Sequence, residues 1–196
     1  MKLVLASTSP YRSRILEQLG IPFVTDNPGV DETAMPGETM PEYVTRLALE
    51  KARAVASRHE DSLIIGSDQA CSIGGIIMGK PGTEEAGVKQ LKMCSGKWLE
   101  FRTGLALINT RSRSENSVAE PFRVKFRQLV EQEIRAYIKR DRPLDCAGCF
   151  KVEAAGITLF DALEGRDYNT LLGLPMIALV DMLRSEGINP LLWQEC

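Results

Sequence analysis

Residues 1–20 read MKLVLASTSPYRSRILEQLG, and the change of pattern inside them sets the fold class. Leu3–Ala6 is a continuous apolar run of strand length, and hydroxyl residues follow it at once. Ser9 suits a helix N-cap, Pro10 the first helical position and Gly20 the stop. A buried strand turning directly into a helix is the opening of an α/β unit. The same corner holds a second signal. Arg12 and Arg14 lie in the first turns of the predicted helix, where the macrodipole disfavours cations. Free backbone N–H groups, serine hydroxyls and guanidinium forks together suit an external anion, most simply a phosphate. A capped helix with two surface arginines is the plainer alternative.

Downstream, the alternation continues. Residues 21–25 read as a second short strand, followed by a loop with Pro28, Pro36 and the acidic pair Asp31–Glu32. Pro41 opens a long helix to about Arg58, with Val44, Leu47, Ala48, Ala52 and Val55 at helical spacing and Lys51 on the same helix. The aliphatic run 63–66 predicts a buried strand that delivers Asp68 and Gln69 at its end. CSIGGIIM predicts a hairpin turning at Gly74–Gly75, and 83–93 a helix capped by Thr83. Strands are expected over 98–109 and 121–126, joined by a polar loop TRSRSENSVAE. A helix over 130–140, a strand over 157–160 and a helix over 174–185 complete the series. The class is α/β, or mixed α+β, in one domain or two closely joined lobes.

Composition narrows the function. The 196 residues are 44% hydrophobic and 26% charged with a formal net charge of −2, which does not suggest a broad nucleic-acid surface. The apolar run of MKLVLA stops at Ser7, too early for a signal peptide, and no stretch approaches membrane-spanning length. Five cysteines without an export signal argue for reduced thiols in the cytoplasm.

Three motifs imitate chemistry. Cys146-Ala-Gly-Cys149 has CxxC spacing, but a zinc site needs further ligands and His59 is the sole histidine. Two small cysteines in a tight turn explain the spacing better. Gly74–Lys80 satisfies GxxxxGK, yet Pro81 follows where a P-loop needs a hydroxyl, and the interior is apolar. His59, among charges at a helix end, reads as a solvated cap, so a serine–histidine–acid triad is not expected. What remains is Arg12, Glu32, Lys51, Asp68 and Lys80. Asp68 stands where a buried strand turns polar in one step, a usual place for a site residue in α/β proteins. It could hold a divalent cation or deprotonate a water, or it could be a turn aspartate capping its own backbone.

Taken together, LASTSPYR at 5–12, VDET at 30–33, LALEKA at 47–52, IIGSDQ at 64–69, MGKP at 78–81, AGCFKVEAAG at 147–156 and NTLLGLP at 169–175 resemble the Maf-like nucleotide pyrophosphatases, in the family's order and over nearly the whole chain. The resemblance implies a single Maf-like domain over 1–196, an elongated mixed sheet flanked by helices, with two lobes around a nucleotide cleft. It implies hydrolysis of the α–β phosphoanhydride of nucleoside triphosphates with a divalent metal, magnesium or manganese. Asp68 would be the proton acceptor and, with Glu32, a metal ligand; Ser7, Arg12, Lys51 and Lys80 would bind phosphate. Many members carry Ala-Asp-Thr where this chain has Ser67-Asp68-Gln69, which resembles the 7-methyl-GTP subgroup, with Tyr11, Gln69 and Glu153 at the specificity positions. A methylated guanine is cationic, so an aromatic face attracts it, and a carboxylate can accept from its N1–H and N2–H edge. UTP, dTTP or another modified nucleotide is the alternative substrate, and a nucleotide-sensing regulator without turnover the alternative class. The implied partner is a nucleoside triphosphate, with neither membrane nor stable nucleic-acid partner; a homodimer is compatible with this reading.

Overall fold

The computed structural model describes residues 1–193. Two compact units divide the chain, one formed by Met1–Gln69, Arg102–Glu120 and the residues from Asp167 onward, the other by Ala70–Phe101 and Pro121–Arg166. A seven-stranded mixed sheet runs in the order β2-β1-β3-β5-β6-β7, with β4 paired to β3. Its strands are β1 (Lys2–Ala6), β2 (Phe23–Thr25), β3 (Ser62–Ile73), β4 (Ile76–Ile77), β5 (Trp98–Asn109), β6 (Ser114–Phe126) and β7 (Phe160–Gly165). The helices are α1 (Pro10–Leu16), α2 (Met40–Ala56), α3 (Glu84–Cys94), α4 (Glu131–Asp141), α5 (Tyr168–Leu172) and α6 (Met176–Ser185).

In the first unit β1 pairs in parallel with β2 on one side and β3 on the other, with Ala6 opposite Gly66. Strand alternation sorts the core into two layers. Leu3, Leu5, Leu63, Ile65, Leu105 and Leu107 pack with residues of α1 and α6, among them Ile15, Leu16, Leu179 and Leu183. Val4, Ala6, Ile64, Ala106 and Ile108 pack against Ala48, Ala52 and Val55 of α2. Helix α2 lies so close to the strands that a Cβ on Gly66 would stand 2.0 Å from the Ala48 carbonyl oxygen, and one on Gly104 2.0 Å from that of Val44. Both helices start as their sequences dictate. Ser9 caps α1 by accepting from the Arg12 N–H, and Thr39 with Glu42 forms a capping box on α2.

In the second unit Phe101, Phe126, Phe150 and Phe160 form an edge-to-face cluster with ring centroids 4.9 to 5.9 Å apart. The GxxxxGK stretch is the expected hairpin: Ser72 pairs with Ile77 across Gly74 and Gly75, both at positive φ. Cys146 and Cys149 flank a single tight turn over Ala147–Cys149, as expected of them. Burial pushes their thiols up to about 11 and about 12, and no group of three or more His, Cys, Asp or Glu able to hold a metal exists among the described residues.

Several sequence expectations are corrected. β3 does not end at Gly66 but continues to Ile73, so Asp68 and Gln69 sit in mid-strand, and Asp68 is no turn residue. Most of TRSRSENSVAE is strand: Asn109 Oδ1 accepts from the Arg111 and Ser112 N–H groups, Arg113 takes a φ of 62°, and β6 begins at Ser114. The outer residues of that strand meet water, so they need not be apolar. Ile157 lies in a 3-10 turn over Ala155–Leu159, where Gly156 sits so near the Lys151 carbonyl that a Cβ would stand 2.4 Å from its oxygen; the strand starts only at Phe160. His59 is paired rather than simply solvated, with Nε2 2.9 Å from Asp26 Oδ2.

Candidate active site

The polar centre of the first unit lies at the carboxyl end of β1. The chain leaves β1 through α1 to β2 on one side and returns through α2 to β3 on the other, so this end is a topological switch point, where α/β sheets leave a crevice. Pairing with β1 stops at Gly66, and Ser67, Asp68 and Gln69 run past it.

Asp68 is buried, and its Oδ1 accepts a hydrogen bond from Lys51 Nζ at 2.6 Å. Lys51 is also buried and reaches a second carboxylate, Glu32, whose Oε1 is 2.6 Å from the same nitrogen. Glu32 belongs to the acidic loop before α2, held in place by Tyr43 Oη donating to the Glu32 carbonyl and Arg46 Nη2 donating to that of Thr33. Burial raises the Asp68 pKa above the ordinary 3.8, and Glu32 adds to the rise, against the pull of Lys51 and Arg12. A carboxylate that holds its proton more readily than a solvated one is a better base.

Arg12 comes from the first turn of α1. Its Nε donates to the Gly173 carbonyl at 2.9 Å and its Nη1 to Ser7 Oγ at 3.5 Å, while Ser7, itself buried, also accepts from the Ser9 N–H. Desolvation lowers the Arg12 pKa, offset in part by the charges of Asp68 and Glu32. The hydrogen bonds of this guanidinium thus go to neutral oxygens, while both neighbouring carboxylates close on Lys51. An arginine held this way is set for an anion carrying several oxygens.

Residues 2–186 match the Maf-like protein family. The chain belongs to the Maf-like family. Membership supports a nucleotide pyrophosphatase in general terms. Among solved structures, the Maf-like chain resembles the Ham1 protein of Staphylococcus aureus, at 14% identity with a TM-score of 0.52 over 95% of this chain and 100% of that one. A HAM1 protein from Coxiella burnetii matches at 15% identity and a TM-score of 0.45, over 66% of this chain and 74% of that one. The first likeness establishes a shared fold.

Of the residues singled out in the sequence, Ser7, Arg12, Glu32, Lys51 and Asp68 gather in the first unit of this Maf-like protein. Tyr11 is on the first turn of α1, 37% exposed, and Gln69 is half-buried on β3. Lys80 and Glu153 belong to the second unit, Lys80 exposed between β4 and α3, Glu153 exposed in the turn before Ala155. Sequence reasoning missed the partners that aim these groups. Ser67 Oγ lies 2.9 Å from the Gly104 carbonyl and 2.8 Å from that of Gly173. Gln69 Nε2 faces Thr103 and the carbonyls of Thr170 and Leu171. Buried Asp167 fixes this last turn, accepting from the Asn169 N–H through Oδ1 and from the Ile177 N–H through Oδ2, so one carboxylate ties the starts of α5 and α6. The signal was in the NTLLGLP motif, whose glycine takes a φ of 102° as the αL cap of α5.

Proposed function

We propose that this Maf-like protein is a cytoplasmic, metal-dependent pyrophosphatase that cleaves nucleoside triphosphates between the α- and β-phosphorus, with 7-methyl-GTP its preferred substrate, and so removes modified nucleotides. The observation that carries the reading is the cluster Arg12–Lys51–Asp68–Glu32 beside Ser7, in which Ser7, Lys51 and Asp68 are buried and Glu32 is exposed. Two cations already matched by two carboxylates cannot by themselves neutralise a triphosphate, so a further cation must arrive with it. The donor set fits magnesium or manganese: Glu32 and Asp68 converge on one point, and such ions take one or two carboxylates and complete their shell with phosphate oxygens and water. When bound, the ion supplies charge neutralisation at the phosphates.

The residues of the chain do the rest. Arg12 and Ser7 bind non-bridging phosphate oxygens, and Lys51, released from one carboxylate, follows the developing charge. Asp68 accepts the proton of an attacking water as its oxygen bonds to the α-phosphorus. The bond from that phosphorus to the bridging oxygen breaks, and pyrophosphate leaves with the electron pair. By the family resemblance Lys80 adds a phosphate contact, while Tyr11, Gln69 and Glu153 choose the base. A cationic methylated guanine gains from the Tyr11 ring, and the Glu153 carboxylate suits its donor edge.

Incubation of ordinary and methylated triphosphates with magnesium or manganese tests this directly. Monophosphate and pyrophosphate are expected, 7-methyl-GTP is expected to give the highest kcat/KM, and EDTA is expected to stop turnover. Diphosphate with orthophosphate would refute the cleavage position, a faster UTP reaction would refute the base preference, and tight binding without products would identify a sensor.

A further inference from the structure

The orientation of the Gln69 amide is fixed by chemistry. Its Nε2 is 2.9 Å from Thr103 Oγ1, 2.8 Å from the Thr170 carbonyl oxygen and 3.2 Å from the Leu171 carbonyl oxygen. Backbone carbonyls only accept, so the amide end that faces them must be the nitrogen. The Thr103 hydroxyl is committed too. It donates its proton to the Thr170 carbonyl at 2.8 Å and therefore offers Gln69 only lone pairs. Thr103 and Thr170 are fully buried, so water does not compete for these bonds. An amide nitrogen has two protons, and here three protein oxygens surround it. Its donor capacity is spent inside the fold.

We propose that Thr103 is a positioning residue which, with the Thr170 and Leu171 carbonyls, turns Gln69 so that it meets a nucleobase through Oε1 alone, as an acceptor. The base edge read at this point must then carry an N–H, as the N1–H and N2–H edge of guanine does. An edge with a ring lone pair there would set acceptor against acceptor. This rests on Gln69 facing the base and adds the polarity of the contact. A glutamine that is free to turn either way would accept both kinds of edge.

The experiment compares kcat/KM for GTP and O6-methyl-GTP, whose N1 carries a lone pair in place of the N–H, in wild type, Thr103→Val and Thr103→Ser. Wild type is expected to favour GTP at least about tenfold. Thr103→Val, of the same shape but without the hydroxyl, removes the 2.9 Å acceptor and the bond that holds the Thr170 carbonyl, leaving Leu171 at 3.2 Å as the weaker second partner, so the ratio is expected to shrink at least about threefold and Thr103→Ser to restore it. Thermal melting is followed alongside, because a merely structural threonine would lower the melting temperature and leave the ratio alone. An unchanged ratio in Thr103→Val, or no discrimination in wild type, overturns the proposal. Absence of hydrolysis by wild type is a failure of the pyrophosphatase reading instead. In that case NMR decides: the Gln69 side-chain amide protons should exchange slowly in wild type and faster in Thr103→Val, and rapid exchange in wild type refutes the positioning role.

Discussion

Asp68 carries a raised pKa because burial outweighs the attraction of Lys51 and Arg12, and if Asp68 is the base, as proposed, two outcomes follow at the scale of the single residue. Asp68→Asn keeps the shape and loses the base, so turnover should fall roughly a hundredfold or more while triphosphate binding is largely kept; a fully active variant would remove Asp68 from the chemistry. The second outcome concerns pH. Asp68 must be ionised to take a proton, so the acid limb of kcat/KM should lie above the ordinary aspartate value of 3.8. Lys51 lowers that pKa, and Lys51→Met removes its charge, so the limb should move further toward neutrality in a pH series. A limb that stays put or moves to lower pH would contradict the pairing.

At the scale of elements, the close approach of α2 to β3 makes Gly66 sensitive. A Cβ there would stand 2.0 Å from the Ala48 carbonyl oxygen, and backbone cannot step aside as a side chain can, so Gly66→Ala should cost about 3 kcal/mol in urea unfolding. A change below about 0.5 kcal/mol would show that the helix can lift away. The same strand shows what the sequence let one read. The apolar run 63–66, the Ser9 cap, the Gly74–Gly75 hairpin and the spacing of α2 were legible because local chemistry decides them. The continuation of β3 through Ser67, Asp68 and Gln69 was not, because three polar residues after an apolar run carry the local signature of a strand's end. Each of the three instead has a distant partner: Gly104 and Gly173 for Ser67, Lys51 for Asp68, Thr103 and the α5 turn for Gln69. Partners 17 to 106 residues away leave no local trace. The candidate site residues were proposed through resemblance, and the distant partners that hold them left no signal in the sequence. Ile157–Phe160 failed for another reason, since a short apolar run does not distinguish a strand from a 3-10 turn.

Across the whole molecule, the described thiols fall in the second unit, whereas Ser7, Arg12, Glu32, Lys51 and Asp68 fall in the first. The described cysteines, Cys71, Cys94, Cys146 and Cys149, all belong to the second unit, and burial pushes their thiols up to about 11 or 12, so they stay protonated at neutral pH. The double variant Cys146→Ser with Cys149→Ala is therefore expected to keep metal-dependent hydrolysis apart from a modest packing loss, with no zinc in either protein by elemental analysis. Stoichiometric zinc that disappears with activity in the variant would restore the CxxC motif to function. In the first unit, the pleat of β3 has its own consequence. Gly66 and Asp68 face α2, while Ser67 and Gln69 face Thr103 and the α5 turn. On the proposed reading, Asp68 carries catalysis and Gln69 selection, on opposite faces of one ribbon. On that reading substitutions are inherited independently: a descendant can exchange Gln69 for another residue and acquire a new diet while Asp68 keeps its place. A single inserted residue would instead turn both faces over together, so such a lineage can diverge by replacement here and not by insertion.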